Sequence, residues 1–117
     1  MHRRKIPVSG ELLPVVGVGT WRTFDVGTRP EERAPLADVL RLLFEAGGQV
    51  IDTSPMYGAA EGVVGDLLAA NGTRGKAFIA TKVWTNGRDS GIAQMQASLR
   101  LLRTDRVDLM QIHNLVD

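Results

Sequence analysis

Short apolar runs alternate with helix-like segments about every thirty residues along this chain, and this alternation constrains its fold more than any other feature. The runs are bounded by glycine, proline or asparagine and are short enough to be β-strands. Four of them predict strands, at VVGVGTW (15–21), QVIDTS (49–54), KAFIATKVW (76–84) and VDLMQIHN (107–114). Strand–helix alternation is typical of a parallel sheet with right-handed crossovers. The sequence therefore predicts an α/β fold, in which VVGVGTW is a buried strand that ends in a glycine-rich loop.

Apolar residues three and four positions apart predict one helix between each pair of strands. The first helix begins at about Pro35 and is closed by Gly47-Gly48. The second is marked by apolar residues from Ala60 to Leu68 and is stopped by Asn71-Gly72. The third is marked by residues from Ile92 to Leu102, with Asp89 or Ser90 as its cap. Ahead of the first strand, RKIPV and ELLPVV are joined by the turn pair Ser9-Gly10 and predict a short β-hairpin. These elements fit one domain, for which 117 residues is an ordinary length.

The composition argues against several classes of protein. Fourteen Lys and Arg oppose thirteen Asp and Glu, and this balance disfavours a nucleic-acid binder, which needs an excess of cations. No apolar run is long enough to span a membrane. The chain has no cysteine, which excludes disulfides and thiol chemistry and suits a cytoplasmic location. Its two histidines, His2 and His113, lack partners at metal-ligand spacing, so we predict no metal site.

Three ionisable residues lie at equivalent places in successive strands. Asp52 ends the second strand, Lys82 the third and His113 the fourth, at intervals of thirty and thirty-one residues. Because parallel strands point the same way, all three reach the carboxyl edge of the sheet, where α/β folds bind ligands. Each residue alone has an ordinary structural explanation, as a loop cap, a solvated lysine or a core histidine. Their shared position favours one common site.

Tyr57 adds a proton donor to this set. It is the only tyrosine and follows Asp52 by five residues, in the loop PMYG. A phenol is a weak acid at neutral pH, but an ammonium about 4 Å away favours its ionised form. Asp52 would keep Lys82 charged and oriented, and His113 would donate a hydrogen bond to a substrate oxygen. The four residues together predict a site that protonates its substrate.

These motifs resemble those of the aldo-keto reductases. GVGTW, IDTSPMYG, ATKVW and DLMQIHN are similar, in order and spacing, to the first four strand ends of that family. Glu61-x-x-Val64-Gly65 resembles the start of its second helix. The resemblance runs from the hairpin through His113, which is essentially the whole chain. It implies a TIM-type (β/α)₈ barrel and the NADPH-dependent reduction of aldehydes or ketones to alcohols.

The resemblance also implies a role for particular residues. The family's catalytic tetrad falls on Asp52, Tyr57, Lys82 and His113, with Tyr57 as the general acid. Its cofactor-binding positions fall on Gly19, Thr20 and Asp52, and its substrate-binding positions on Trp21, Trp84 and His113. For the two tryptophans, packing at the barrel rim is an equally good explanation.

The strands that hold most of the dinucleotide in that family have no counterpart in this chain. VGVGTW contains G-x-G but lacks the third glycine of a dinucleotide-binding loop, and we find no Walker-type loop. We therefore expect NADPH as the cofactor, with most of its binding site absent from this chain. Residues 1–117 are interpreted as a partial aldo-keto reductase barrel domain, comprising four strands and three helices and lacking the carboxyl-terminal half. Alone, such a chain is expected to be incomplete or inactive as a reductase.

A half barrel would leave both sheet edges open and its inner face exposed. Three explanations stay open: a truncated product of a longer reductase gene, two copies that associate through their open edges, and a non-catalytic interaction or regulatory protein on the same scaffold. The expected partner is a small carbonyl compound, with neither nucleic acid nor a membrane involved. Cofactor binding and turnover distinguish the enzyme from the non-catalytic protein.

Overall fold

The sheet at the centre of the molecule has four parallel strands in the order β3-β4-β5-β6. The computed structural model describes residues 1–115, with a separate antiparallel hairpin ahead of the sheet. The strands are β1 (Arg3–Lys5), β2 (Leu12–Pro14), β3 (Val18–Gly19), β4 (Val50–Asp52), β5 (Phe78–Val83) and β6 (Leu109–Ile112). Spatial order follows chain order, as crossover connections require. The prediction of an α/β fold built from the units of a TIM-type barrel, preceded by a β-hairpin, is confirmed.

Three helices connect the parallel strands, and the first begins earlier than the sequence predicts. They are α1 (Pro30–Glu45), α2 (Ala60–Asn71) and α3 (Arg88–Leu101), with a short 3₁₀ turn at Arg74–Lys76. The prediction that the first helix begins near Pro35 is wrong by about one and a half turns. Pro30 occupies the first helical position, where no backbone N–H is needed, and two acidic residues follow it in the first turn. This first turn is polar, so apolar periodicity alone could not detect it.

The start of α3 and the extent of β3 also differ from the predictions. Gly87, with φ of +84°, precedes α3, and neither Asp89 nor Ser90 caps the helix, because both lie inside it. The strand predicted over residues 15–21 is ordered as a strand only at Val18–Gly19. Val15 and Val16 are about half exposed, so this segment is not the buried strand that its composition indicates.

The hydrophobic core lies between one face of the sheet and the three helices. Ile51 and Ile79 stand opposite each other on β4 and β5, and both are fully buried beneath the helices. Side chains alternate across a strand, so Asp52 and Lys82 project from the other face of the sheet. Among the described residues, β3 and β6 each pair with a single neighbouring strand. No helix in the described part of the chain is long and apolar enough to cross a membrane.

Helix α2 carries a buried acid and a close backbone contact. The Glu61 side chain is 1% exposed, and its Oε2 accepts a 2.7 Å hydrogen bond from the Thr81 hydroxyl of β5. Burial raises the pKa of the Glu61 carboxyl above its ordinary value, and the nearby Thr81 and Ser98 hydroxyls and the Lys82 charge offset this only partly. One turn later, Gly65 lies directly against the backbone of Leu101, at the end of α3.

Candidate active site

The register of the parallel strands brings the predicted residues to one edge of the sheet. Gly19 stands opposite Asp52, Asp52 opposite Ala80, and Lys82 opposite Gln111. His113 follows β6 directly, and its backbone N–H donates to the Val83 carbonyl at 3.0 Å. The carboxyl ends of β3 to β6 therefore meet at a single rim.

Asp52 and Lys82 form the central contact of this rim. The Lys82 ammonium lies 2.9 Å from both carboxylate oxygens of Asp52 and donates a further hydrogen bond to the Thr53 carbonyl at 2.8 Å. The lysine side chain is 12% exposed and the aspartate 38%. Gln111 donates a longer bond to Asp52 Oδ1 at 3.3 Å. The positive charge is thus held in one place by three acceptors.

Thr20 and Gly19 support the carboxyl end of β4 from the neighbouring strand. The backbone N–H and the hydroxyl of Thr20 both donate to the Asp52 carbonyl, at 3.1 and 2.9 Å. Thr20 is fully buried, whereas a side chain at Gly19 would meet nothing within 4 Å. Thr20 therefore secures the backbone that carries Asp52, and Gly19 leaves the rim open beside it. Their contact with a cofactor stays a prediction.

Tyr57 lies beside the charged pair, on the loop between β4 and α2. The Lys82 ammonium is 4.9 Å from the centre of the tyrosine ring, within the range of a cation–π interaction. The Tyr57 ring meets the His113 ring edge-on, with centroids 6.0 Å apart. The spacing of these residues in the sequence does not determine the distances between their side chains. The close approach of the phenol, the ammonium and the imidazole is therefore a finding of the structure.

Asp25 anchors the loop that carries Tyr57. One of its carboxylate oxygens accepts a 2.9 Å hydrogen bond from the backbone N–H of Ala59. Gly58 has φ of +60°, and a Cβ at this position would overlap the Asp25 carboxylate. Glycine at position 58 therefore leaves the space that the Asp25 carboxylate occupies, directly after Tyr57.

His113 is fixed on two sides. Its Nδ1 lies 3.2 Å from the hydroxyl oxygen of Ser54, and its ring is 6.1 Å from that of Trp84. A cavity of about 470 Å³ adjoins this pair and is also lined by apolar side chains that include Ile92, Met95 and Ile112. The cavity lies beside the imidazole, between α3 and the ends of β5 and β6, and none of Asp52, Tyr57 or Lys82 lines it.

The two tryptophans occupy different surroundings. Trp84 is 47% exposed and contacts His113, so it stands at the edge of the cavity. Trp21 is 61% exposed, and the guanidinium of Arg22 covers its ring at 4.7 Å. The structure thus brings Trp84 to the tetrad directly. For both tryptophans a role in substrate binding stays a prediction.

Sequence reasoning missed three polar residues of this rim. Ser54 lies two positions after Asp52 and Gln111 two positions before His113, so strand alternation was a usable signal for both. Asp25 contacts a backbone group 34 residues away, for which the sequence carries no comparable signal. Within residues 1–115, no three His, Asp or Glu side chains cluster closely enough to hold a metal ion.

Comparison with known proteins places this geometry in a family context. Residues 15–116 match the Aldo/keto reductase family. A methylglyoxal reductase of Escherichia coli K12, YeaE, is 41% identical over 97% of this chain and 40% of its own length. The match is thus to about two fifths of that protein.

Solved structures that are similar to this chain are also aldo-keto reductases. An aldo-keto reductase from Klebsiella pneumoniae, crystallised with NADPH, superimposes on all of this chain with a TM-score of 0.82 and 30% identity, over 41% of its own length. A second Klebsiella pneumoniae aldo/keto reductase, crystallised with NADP and acetate, has a TM-score of 0.76 and 31% identity. It covers 89% of this chain, which corresponds to 36% of that structure.

Proposed function

Because this chain belongs to the aldo/keto reductase family, we propose that its rim of strand ends takes part in the NAD(P)H-dependent reduction of aldehydes or ketones. The observation that supports this most is the position of Lys82, whose ammonium is bound to Asp52 and lies 4.9 Å from the ring centre of Tyr57. A cation fixed beside a phenol is what a general acid of this type needs at neutral pH.

Tyr57 is the proposed general acid. It transfers its phenolic proton to the carbonyl oxygen, which becomes the alcohol hydroxyl, and the phenolate left behind is stabilised by the ammonium of Lys82. Asp52 keeps that ammonium charged and oriented through two hydrogen bonds of 2.9 Å. Solvent returns a proton to Tyr57, which is half-buried and so accessible at the rim.

His113 and Trp84 are proposed to position the substrate. A neutral imidazole donates one hydrogen bond, which directs the carbonyl oxygen towards the phenol. The adjoining cavity, with Trp84 at its edge, offers an apolar wall for the rest of a small carbonyl compound. Since several related proteins carry the name methylglyoxal reductase, an α-oxoaldehyde is the first substrate to test.

The cofactor proposed for this site is NADPH. When bound, it supplies the hydride for the carbonyl carbon. The open space beside Gly19 and the adjacent carboxyl end of β4 fit the nicotinamide end of such a group. We propose that Gly19 and Asp52 form this contact, that buried Thr20 supports it by holding the backbone of Asp52, and that most of the dinucleotide is held by residues other than those described.

The same reasoning applies to the domain as a whole. Residues 1–117 are proposed to form the amino-terminal strand–helix units of one barrel domain, since the chain spans about two fifths of the length of the relatives it matches. A complete catalytic cycle is proposed to need the remaining units of that domain as well. A cytoplasmic location is proposed for it.

Turnover and binding are tested separately. NADPH and methylglyoxal are mixed with the wild type and with Tyr57→Phe, and the loss of NADPH absorbance is followed. General acid catalysis contributes about 10²- to 10⁴-fold, so the variant is expected to lose at least a hundredfold if the chain turns over. Equal rates for the two proteins would exclude Tyr57 as the general acid.

Binding is followed in a second experiment through the fluorescence of Trp21 and Trp84. Saturable quenching by NADPH is expected, with Trp84→Phe and Trp21→Phe reporting which ring responds. The absence of any saturable response would count against a cofactor site on this chain.

An interaction protein is the second candidate function, and the exposed edge strand β6 favours it. Leu109 and Ile112 are 45% and 65% exposed there, and within residues 1–115 the strand β6 pairs only with β5. Pairing of this edge with a second copy predicts a dimer in sedimentation that Ile112→Lys dissociates. Val8→Lys, at a hairpin position that is 99% exposed, is the matched control and should leave the dimer intact. A monomeric wild type would exclude this pairing.

A further inference from the structure

Ser54 makes two hydrogen bonds that join the Tyr57 loop to the His113 ring. Its Oγ lies 3.1 Å from the backbone nitrogen of Met56 and 3.2 Å from Nδ1 of His113. Ser54 is fully buried, so water does not compete for either bond. One contact is local, and the other spans 59 residues to the end of β6, which β5 separates from β4 in the sheet.

The donor and acceptor capacities of the three groups decide the direction of the second bond. A hydroxyl has one hydrogen to donate and two lone pairs to accept with. The Met56 amide can only donate, so it uses one of the Ser54 lone pairs. Within residues 1–115, Nδ1 of His113 is then the only acceptor in range of the hydroxyl hydrogen. If Nδ1 carried a proton, the hydroxyl hydrogen would be buried without an acceptor, which is unfavourable.

We propose that Ser54 is a positioning residue that holds His113 in the neutral tautomer with its hydrogen on Nε2. The single N–H of the ring is then on the nitrogen directed away from Ser54, and Nδ1 is occupied as an acceptor. The consequence for catalysis rests on the function proposed above, because this N–H is the donor that His113 offers to a carbonyl oxygen. Since Ser54 also binds the amide of Met56, next to Tyr57, it sets the donor and the acid relative to each other.

Nitrogen-15 NMR of the imidazole rings tests the tautomer without any need for turnover. The chain has only two histidines, so assignment is simple, and exposed His2 is an internal reference. Spectra are recorded in mildly alkaline buffer, in which imidazoles are neutral. The wild type is expected to show His113 as a single tautomer, protonated at Nε2, and His2 as an averaged mixture. In Ser54→Ala, the His113 signals are expected to move towards those of His2, and the Met56 amide to exchange faster with solvent.

Ser98→Ala is the matched control. Ser98 is equally buried, but it lies on α3 near Glu61 and no described hydrogen bond joins it to His113, so this variant should leave the His113 spectrum unchanged. The proposal is overturned if His113 of the wild type is protonated at Nδ1 or is averaged like His2. It is also overturned if Ser54→Ala has no effect or if Ser98→Ala has the same effect. A locked tautomer in a chain without reductase activity would reject the proposed function and leave the role of Ser54 standing. Reductase activity in a chain whose His113 tautomer is averaged would reject the role of Ser54 and leave the proposed function standing.

Discussion

The ammonium of Lys82 donates to both carboxylate oxygens of Asp52, at 2.9 Å each, and to the carbonyl of Thr53 at 2.8 Å. An ammonium has three hydrogens, so these contacts use all of them. The charge therefore cannot turn towards solvent without losing a bond, and its distance to the Tyr57 ring is set by Asp52. This is the physical basis for the expectation that Tyr57 and Lys82 act together.

Removing either member of this pair should lower stability, but by unequal amounts. The Lys82 side chain is 12% exposed and that of Asp52 38%, so an unpaired lysine loses more hydration than an unpaired aspartate. We expect Asp52→Asn to lower the free energy of unfolding by about 2–3 kcal/mol and Lys82→Met by roughly 1 kcal/mol. Urea unfolding followed by circular dichroism measures both.

Arg88→Gln is the control for this comparison. Arg88 and Asp89 form an ion pair in which both side chains are almost fully exposed, so its loss should change stability by less than about 0.5 kcal/mol. The reverse order, with Lys82→Met the more damaging variant, would show that burial does not control the cost.

Tyr57 should tolerate loss of its hydroxyl better than loss of its ring. Tyr57→Phe keeps the ring that faces the Lys82 ammonium, so the free energy of unfolding should change by less than about 0.5 kcal/mol. Any reductase activity should fall by at least about a hundredfold. Tyr57→Leu removes the ring and with it a cation–π contact worth roughly 0.5–2 kcal/mol. Thermal unfolding of the two variants measures the difference, and equal stabilities would mean that the ring contact contributes nothing.

The sheet and the shared position of three ionisable residues could be predicted because they depend on local patterns. Strand ends at thirty-residue intervals, alternating side chains and parallel direction were enough to expect Asp52, Lys82 and His113 at one rim. The hydrogen bonds between them could not be predicted, since they depend on rotamers and on distances across strands. The Ser54 contact with His113 is of this kind, although alternation placed both on the same face.

The prediction of secondary structure was wrong where apolar residues did not coincide with a helix or strand. The first turn of α1 consists of Pro30 and charged residues, which carry no apolar period, so the helix was expected to begin at Pro35. Conversely, Val15 and Val16 are apolar but exposed, and because of them the predicted strand was longer than the observed strand Val18–Gly19. In both segments, apolar residues were taken as the marker of regular structure. The helix instead begins at a proline followed by charged residues, and the strand excludes two apolar valines.

Glu61 should make stability depend on pH. Burial raises its pKa, so the neutral carboxyl stabilises the fold below the ordinary carboxyl pKa of about 4.5, and this contribution is lost as pH rises through the higher pKa of the folded state. Glu61→Gln keeps an oxygen to accept from the Thr81 hydroxyl and cannot ionise. We therefore expect the stability of the variant, relative to the wild type, to increase as pH rises from about 4.5 to 8.

Urea unfolding across this pH range checks the sign. Glu11→Gln, at an exposed position, is the control and should track the wild type at every pH. A constant difference between Glu61→Gln and the wild type would mean that Glu61 titrates alike in the folded and unfolded chain.

Two glycines of α2 should respond in opposite ways to alanine. At Gly65, a Cβ would overlap the carbonyl oxygen of Leu101 and lie 2.8 Å from the backbone of Leu102, so helices α2 and α3 would have to separate. Because the obstacle is backbone, we expect Gly65→Ala to cost at least about 2 kcal/mol. At Gly62, a Cβ would lie 3.7 Å from a terminal carbon of Leu101, which is ordinary contact. Gly62→Ala should therefore be neutral or stabilise the fold by up to about 1 kcal/mol, through helix propensity alone. Denaturant midpoints of the two variants, measured side by side, should fall for Gly65→Ala and stay level or rise for Gly62→Ala. A Gly65→Ala variant as stable as Gly62→Ala would mean that the approach of α3 to Gly65 is looser than the structure shows.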